Sequence, residues 1–203
     1  MLSVLAKKLS ILFIQANIVK QEDYEIYAYS FELLLSTVLN FMMLAIVALM
    51  TKRLLETACF VIGFIPVRRF AGGYHAKTHF RCLSILLVTY FALLTILTLM
   101  SADIYRVSTI LNIFVSAVII WMISPVGDRN KPLSEKEKHY YRRQSRVTML
   151  VYAAVIIPVS FVIRTRIEVF CISFGILAVS VSLVAAWVKN KITNMLSMAQ
   201  SLE

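Results

Sequence analysis

Charge is scarce in this chain. Only 16% of its 203 residues are Asp, Glu, Lys or Arg, against 60% in the hydrophobic set, far too few for a soluble domain of this length. Acids are scarcer than bases, 11 against 21, which leaves a formal net charge of +10. No acid lies deep in an apolar run. That absence removes an aspartyl pair as a reaction centre. It also counts against a transporter or channel, the main alternative for a polytopic chain, because transport sites usually hold an ionisable group at mid-membrane. The three cysteines, Cys59, Cys82 and Cys171, form no CxxC pair, and two sit within apolar runs. Neither a disulfide framework nor a zinc module is expected, and no cofactor is called for. HExxH and GxSxG are both missing, so zinc-peptidase and serine-elbow chemistry have no carrier. Residues 1–20 make a poor signal peptide. Lys7 and Lys8 precede only a short apolar patch, with no small-residue cleavage site after it.

What the chain does have is a series of apolar runs: 33–50, 54–67, 83–100, 107–126, 147–163 and 167–188. Most approach the roughly 20 residues that carry a helix across a bilayer. The second is short and holds Glu56, Gly63 and Pro66. It crosses only with thinning of the bilayer or snorkelling of its ends. The expected fold is all-α: a polytopic membrane bundle of about six transmembrane helices, making one membrane-embedded domain over 1–203. An amphipathic interfacial helix within 1–25 precedes it, with Leu2, Leu5, Leu9, Leu12, Phe13 and Ala16 on one face and Ser3, Lys7, Ser10 and Asn17 opposite. A helix packed on the bundle is the plainer reading of that segment.

Six crossings with both termini in the cytoplasm leave only Lys52, Arg53, Arg106, Arg164 and Arg166 outside, so sixteen of the 21 basic residues face inward. That is a clear positive-inside bias. If 54–67 failed to cross, the 127–146 loop would lie opposite the N-terminus. The basic charge therefore reads as orientation and contact with anionic lipid, and nucleic acid is not an expected partner. Segments 68–82 and 127–146 both face the cytoplasm in this scheme, the second as a long basic loop.

Segment 68–82 concentrates the chemistry. It reads Arg-Arg-Phe-Ala-Gly-Gly-Tyr-His-Ala-Lys-Thr-His-Phe-Arg-Cys. A thiol becomes a nucleophile when a histidine, a basic residue or a helix N-terminus stabilises its thiolate, and this segment offers all three. Gly72 and Gly73 break the preceding helix. His75 lies seven residues before Cys82, about 10.5 Å along a straight helix, so it serves the thiol only from a loop folded back over the helix start. His79, three residues before Cys82, shares its helix face and is a nearly equal candidate base on spacing. His75, His79 and Cys82 together would need a further ligand to hold zinc. The plain alternative for Cys82 is a buried apolar cysteine.

Arg68, Gly72-Gly73-Tyr74-His75-Ala76 and Cys82 resemble the accessory gene regulator B (AgrB) family of bacterial membrane cysteine endopeptidases, which process peptide-pheromone precursors. Ser124-Pro125-Val126-Gly127-Asp128-Arg129-Asn130-Lys131-Pro132-Leu133 resembles that family's Lys-Pro segment after the fourth span, although some members carry a denser lysine run there. The resemblance spans essentially the whole chain. It implies Cys82 as nucleophile, His75 as base, Arg68 and Gly73 as needed for activity, and Lys131 within a functional loop. Backbone N–H groups at the start of the third span are the better oxyanion donors, with Arg68 either assisting them or anchoring the loop to lipid phosphate. The implied substrate is a short pheromone precursor with an amphipathic leader and an acidic tail, processed at the bacterial cell membrane by a homodimer. Arg129, Lys131, Arg142 and Arg143 are the candidate contacts for that tail. They equally fit ordinary positive-inside topology.

Overall fold

The computed structural model describes residues 2–16, 18–73, 79–101, 104–127, 134–162 and 166–200. Among them are seven α-helices: α1 Leu2–Gln15, α2 Tyr24–Thr51, α3 Leu54–Ala71, α4 His79–Leu99, α5 Ile104–Ile123, α6 Glu135–Val162 and α7 Arg166–Gln200. A 3-10 turn, Gln21–Asp23, leads into α2. Among the described residues, five stretches are long and apolar enough to cross a bilayer: 21–51, 80–99, 104–123, 135–162 and 167–193. The chain is thus an all-α, polytopic membrane protein. The expected short span, 54–67, forms most of α3, whose ends carry Glu56 on one side and Arg68 and Arg69 on the other; α3 is not one of those five stretches.

The chain divides into two compact units, Met1–Lys52 and Arg53–Glu203. In the first, α1 packs on α2, with the Phe13 and Phe31 ring centroids 5.0 Å apart. The expected apolar face of α1 lies largely open, as lipid contact needs, and small residues form its buried side. Ser10, assigned to the polar face, is fully buried beside Ala6 and donates its hydroxyl to the Ala6 carbonyl at 3.0 Å, whereas Leu5 and Leu12 are exposed. The reason is the solvent. Lipid is as apolar as leucine, so small residues that allow close approach settle a membrane helix interface.

In the second unit, contacts fix helix direction. Arg106 stacks on Phe161 and Arg146 on Trp121, so α5 and α6 are antiparallel. Asn112 Nδ2 donates to Ser173 Oγ at 3.2 Å, and Tyr105 and Phe170 meet at 5.2 Å, so α5 and α7 are parallel. The Thr57 and Tyr90 hydroxyls bond to each other, tying α4 to α3. Helix α7 is the axis of this unit. Some 56% of its apolar stretch is buried, against 17–22% in the other four. It packs on both α3 and α5.

The α3–α7 seam is built on two glycines. A Cβ on Gly63 would stand 2.1 Å from the Ile172 carbonyl oxygen, and one on Gly175 would stand 2.3 Å from that of Phe60. The two helices carry one spacing, Glu-x2-Cys-x3-Gly: Glu56, Cys59 and Gly63 on α3, and Glu168, Cys171 and Gly175 on α7. Small residues let the backbones touch, and close packing replaces the hydrophobic driving force that lipid cannot supply. Gly175→Val is expected to separate the helices and cost about 3 kcal/mol, the upper end of the overpacking scale. A markedly lower unfolding midpoint in detergent checks this.

Helix α6 begins earlier than expected. The sequence leaves 127–146 as a loop, but the helix starts at Glu135. Ser134 and Glu137 form a reciprocal capping box. The Ser134 N–H donates to Glu137 Oε2 at 2.9 Å, and the Glu137 N–H donates to Ser134 Oγ at 3.3 Å. Such a pair satisfies two otherwise unbonded donors of a helix start.

Candidate functional site

Helix α3 ends because Gly72 and Gly73 take φ of 80° and 137°, a region L side chains rarely adopt. The turn they make does more than stop the helix. Gly72 forms a parallel bridge with Val126, and the Val126 N–H donates to the Ala71 carbonyl at 3.2 Å. A Cβ on Gly72 would stand 2.4 Å from the Val126 oxygen. The two motif segments, some fifty residues apart in sequence, therefore touch through their backbones.

The second segment is pinned from two more sides. Ser124 Oγ donates to Ser145 Oγ of α6 at 2.8 Å, and Ser145 Oγ donates to the Arg142 carbonyl at 3.1 Å. Asn190 Nδ2 of α7 donates to the Gly127 carbonyl at 3.2 Å, just before the Lys-Pro stretch. Ser124 and Ser145 are both almost fully buried. Buried hydroxyls pair because an unpaired one costs desolvation.

Cys82 stands in the first turn of α4, half-buried, where the positive end of the helix dipole acts. Arg68, on the last turn of α3, lies within electrostatic reach of it. Burial pulls the Arg68 pKa below the ordinary guanidinium value, while Cys82 acts in the opposite sense; a guanidinium keeps its charge regardless. Arg68 Nη1 donates to Ser182 Oγ of α7 at 2.5 Å. Gly73 is what makes room for this. A Cβ there would stand 1.9 Å from Arg68 Nη1 and 2.8 Å from Ser182 Oγ. Arg68, Gly73 and Cys82, each singled out in the sequence, thus converge on one end of the second unit, with Ser182 and Asn190 as supports.

His75, Arg129 and Lys131 lie outside the described residues. His79 is the first residue of α4, in the same turn as Cys82. Arg142 and Arg143 are exposed on α6, at the same end as the site. Among the described residues, no group of three or more His, Cys, Asp or Glu is arranged to hold a metal ion. Trp121 and Trp187 lie under Arg146 and Lys191 at this end, 4.7 and 5.2 Å from ring centroid to cation, as interfacial aromatics do. Ser182, Ser145 and Asn190 were not anticipated. The available signal was modest: a polar side chain in or beside an apolar run must find a partner. Which partner is a question of helix packing.

Comparison with known proteins adds lineage. The model of the family described as accessory gene regulator B matches residues 5–183. Protein FsrB of Enterococcus faecalis is 28% identical over 124 residues, which are 60% of this chain and 51% of that protein. The accessory gene regulator protein B of Staphylococcus carnosus is 26% identical over 117 residues, 58% of each chain. The matched part of this chain thus spans about half the length of these curated relatives. No solved structure matches. With the family model covering most of its length and both motif segments, this chain belongs to the accessory gene regulator B family.

Proposed function

We propose that this protein is a membrane cysteine endopeptidase that removes the C-terminal tail from a quorum-sensing peptide precursor and leads it to cyclisation. The observation that carries this reading is Cys82 in the first turn of α4, within electrostatic reach of the Arg68 guanidinium. The excess of basic residues in the segments around it supports placing that end of the second unit in the cytoplasm.

The precursor's amphipathic leader lies on the membrane. Its acidic tail is drawn to the basic surface of Arg129, Lys131, Arg142 and Arg143. His75 takes the Cys82 proton, and the thiolate attacks the carbonyl carbon preceding the tail. The amide C–N bond breaks, the departing amine takes the proton from His75, and an acyl-thioester with Cys82 remains. Helix-start N–H groups and Arg68 balance the negative charge on the carbonyl oxygen. A cysteine thiol or serine hydroxyl within the peptide then attacks the thioester. It expels the Cys82 thiolate and closes a thiolactone or lactone, its own proton passing to His75. Partial burial at the bilayer surface keeps water from the thioester, and the intramolecular attack gains from effective concentration. The enzyme acts as a homodimer.

Thiol labelling tests the reading. With protein in nanodiscs near neutral pH, a small alkylating reagent is expected to modify Cys82 faster than Cys59 and Cys171, and His75→Ala is expected to slow it. Equal rates at all three cysteines would contradict a primed nucleophile.

A further inference from the structure

The Arg68 guanidinium is held on two sides by groups that have no chemistry of their own. One is the missing side chain of Gly73, whose place Nη1 occupies; the other is Ser182 Oγ, which accepts from Nη1 at 2.5 Å. Ser182 belongs to α7, more than a hundred residues further along the chain. That helix is locked to α3 by backbone contact at Gly63 and Gly175. The same α7 face, two turns on, reaches the other motif segment through Asn190 and the Gly127 carbonyl. The seam thus sets the height of α7 against α3, and Ser182 converts that register into the position of one guanidinium. A long arginine side chain at a helix end otherwise samples many rotamers, and fixing it costs entropy that a partner must offset.

We propose that Ser182 is a positioning residue for the peptidase reaction. Its hydroxyl holds Arg68 toward the Cys82 sulfur, so that the positive charge is already in place when the carbonyl oxygen gains its negative charge. Electrostatic stabilisation of this kind is effective because the donor need not reorganise at the moment of reaction. The inference rests on the cysteine-peptidase reading. It differs from a purely structural role in what it predicts. A hydroxyl that merely fills space between α3 and α7 would affect the amount of folded protein. A hydroxyl that aims Arg68 acts on the chemical step and leaves precursor binding untouched.

The test uses the full chain in nanodiscs with a matched precursor peptide, comparing Ser182→Ala, Ser182→Thr and Arg68→Gln with the parent. Two things are read on equal amounts of folded protein: the steady-state kinetics of tail release, and the rate of alkylation of Cys82 by iodoacetamide. Ser182→Ala is expected to lower kcat for tail release by about tenfold with KM unchanged, the pattern of an interaction realised in the transition state, and to slow alkylation. Ser182→Thr, which keeps the hydroxyl, is expected to recover most of both. Parent-like rates in Ser182→Ala, while Arg68→Gln is impaired, would overturn the role of Ser182 and leave the peptidase reading intact. So would equal loss in the Ala and Thr variants, because the hydroxyl would then not be the operative group. Failure of the peptidase reading itself has a separate signature: tail release that persists when Cys82 is replaced by alanine.

Discussion

Cys82→Ala is expected to insert and fold like the parent and to release no tail. The fold has little at stake at this position. Cys82 is half-buried in the first turn of α4, and alanine is the best helix former available to replace it. The chemistry has everything at stake, because the proposed acyl-enzyme is carried on this sulfur. Loss of a catalytic nucleophile lowers kcat by a factor on the order of a million where it has been measured as a difference. The measurement is twofold: appearance of the released tail by mass spectrometry, and trapping of the acyl-protein at acidic pH, where a thioester survives. Both should vanish together. Tail release at a parent-like rate by the alanine variant would exclude Cys82 as nucleophile and with it the whole mechanism.

Gly73→Ala is expected to give folded but somewhat less stable protein with activity reduced about a hundredfold, the loss that follows removal of one oxyanion donor. Two effects act at this residue. Its φ of 137° is costly for any side chain, on the order of 1–3 kcal/mol. The added Cβ would also overlap Arg68 Nη1, 1.9 Å away. The overlap is with the tip of a long side chain, not with backbone, so the guanidinium can move and the fold survives. Moving it breaks the bond to Ser182 and carries the charge away from Cys82. The cost therefore falls on catalysis. Gly72→Ala behaves differently, because its Cβ would meet the Val126 carbonyl oxygen at 2.4 Å, and a backbone atom cannot swing aside. It should separate the two motif segments and reduce the amount of folded protein. Detergent-solubilised yield and melting temperature, read beside tail release, distinguish the two variants. Parent-like activity in Gly73→Ala would mean that the placement of Arg68 against Gly73 is incidental.

Much of this site was legible before any coordinates. Arg68, Gly73 and Cys82 stand within fifteen residues of one another, and the chemistry of a thiol beside basic groups and a helix start is local. The Gly72-Gly73 break was equally plain, since two adjacent glycines after an apolar run admit few other readings. Three features were not legible. The capping box of Ser134 and Glu137 shortened the expected 127–146 loop, because the acidic and basic residues after it suggested solvent and not a helix start. The burial of Ser10 on α1 was hidden because hydrophobic periodicity marks the apolar face of a helix, not the small residues that let two helices approach. The supports on α7 were hidden because a serine in an apolar run bonds its own backbone as readily as a neighbour; Ser173 and Ser180 make such bonds, and Ser182 reaches another helix.

The residues themselves determined that the chain enters a membrane, the series of apolar runs, the break after α3, and the thiol at the head of α4. Each of these follows from composition or from contacts within a few residues, where sequence spacing and spatial distance are nearly the same. Tertiary structure alone decided that the segment after α5 lies against Gly72, that α7 runs through the middle of the second unit, and that Ser182 meets Arg68. Those outcomes turn on the register between parallel helices, which is set where Gly63 and Gly175 allow two backbones to touch.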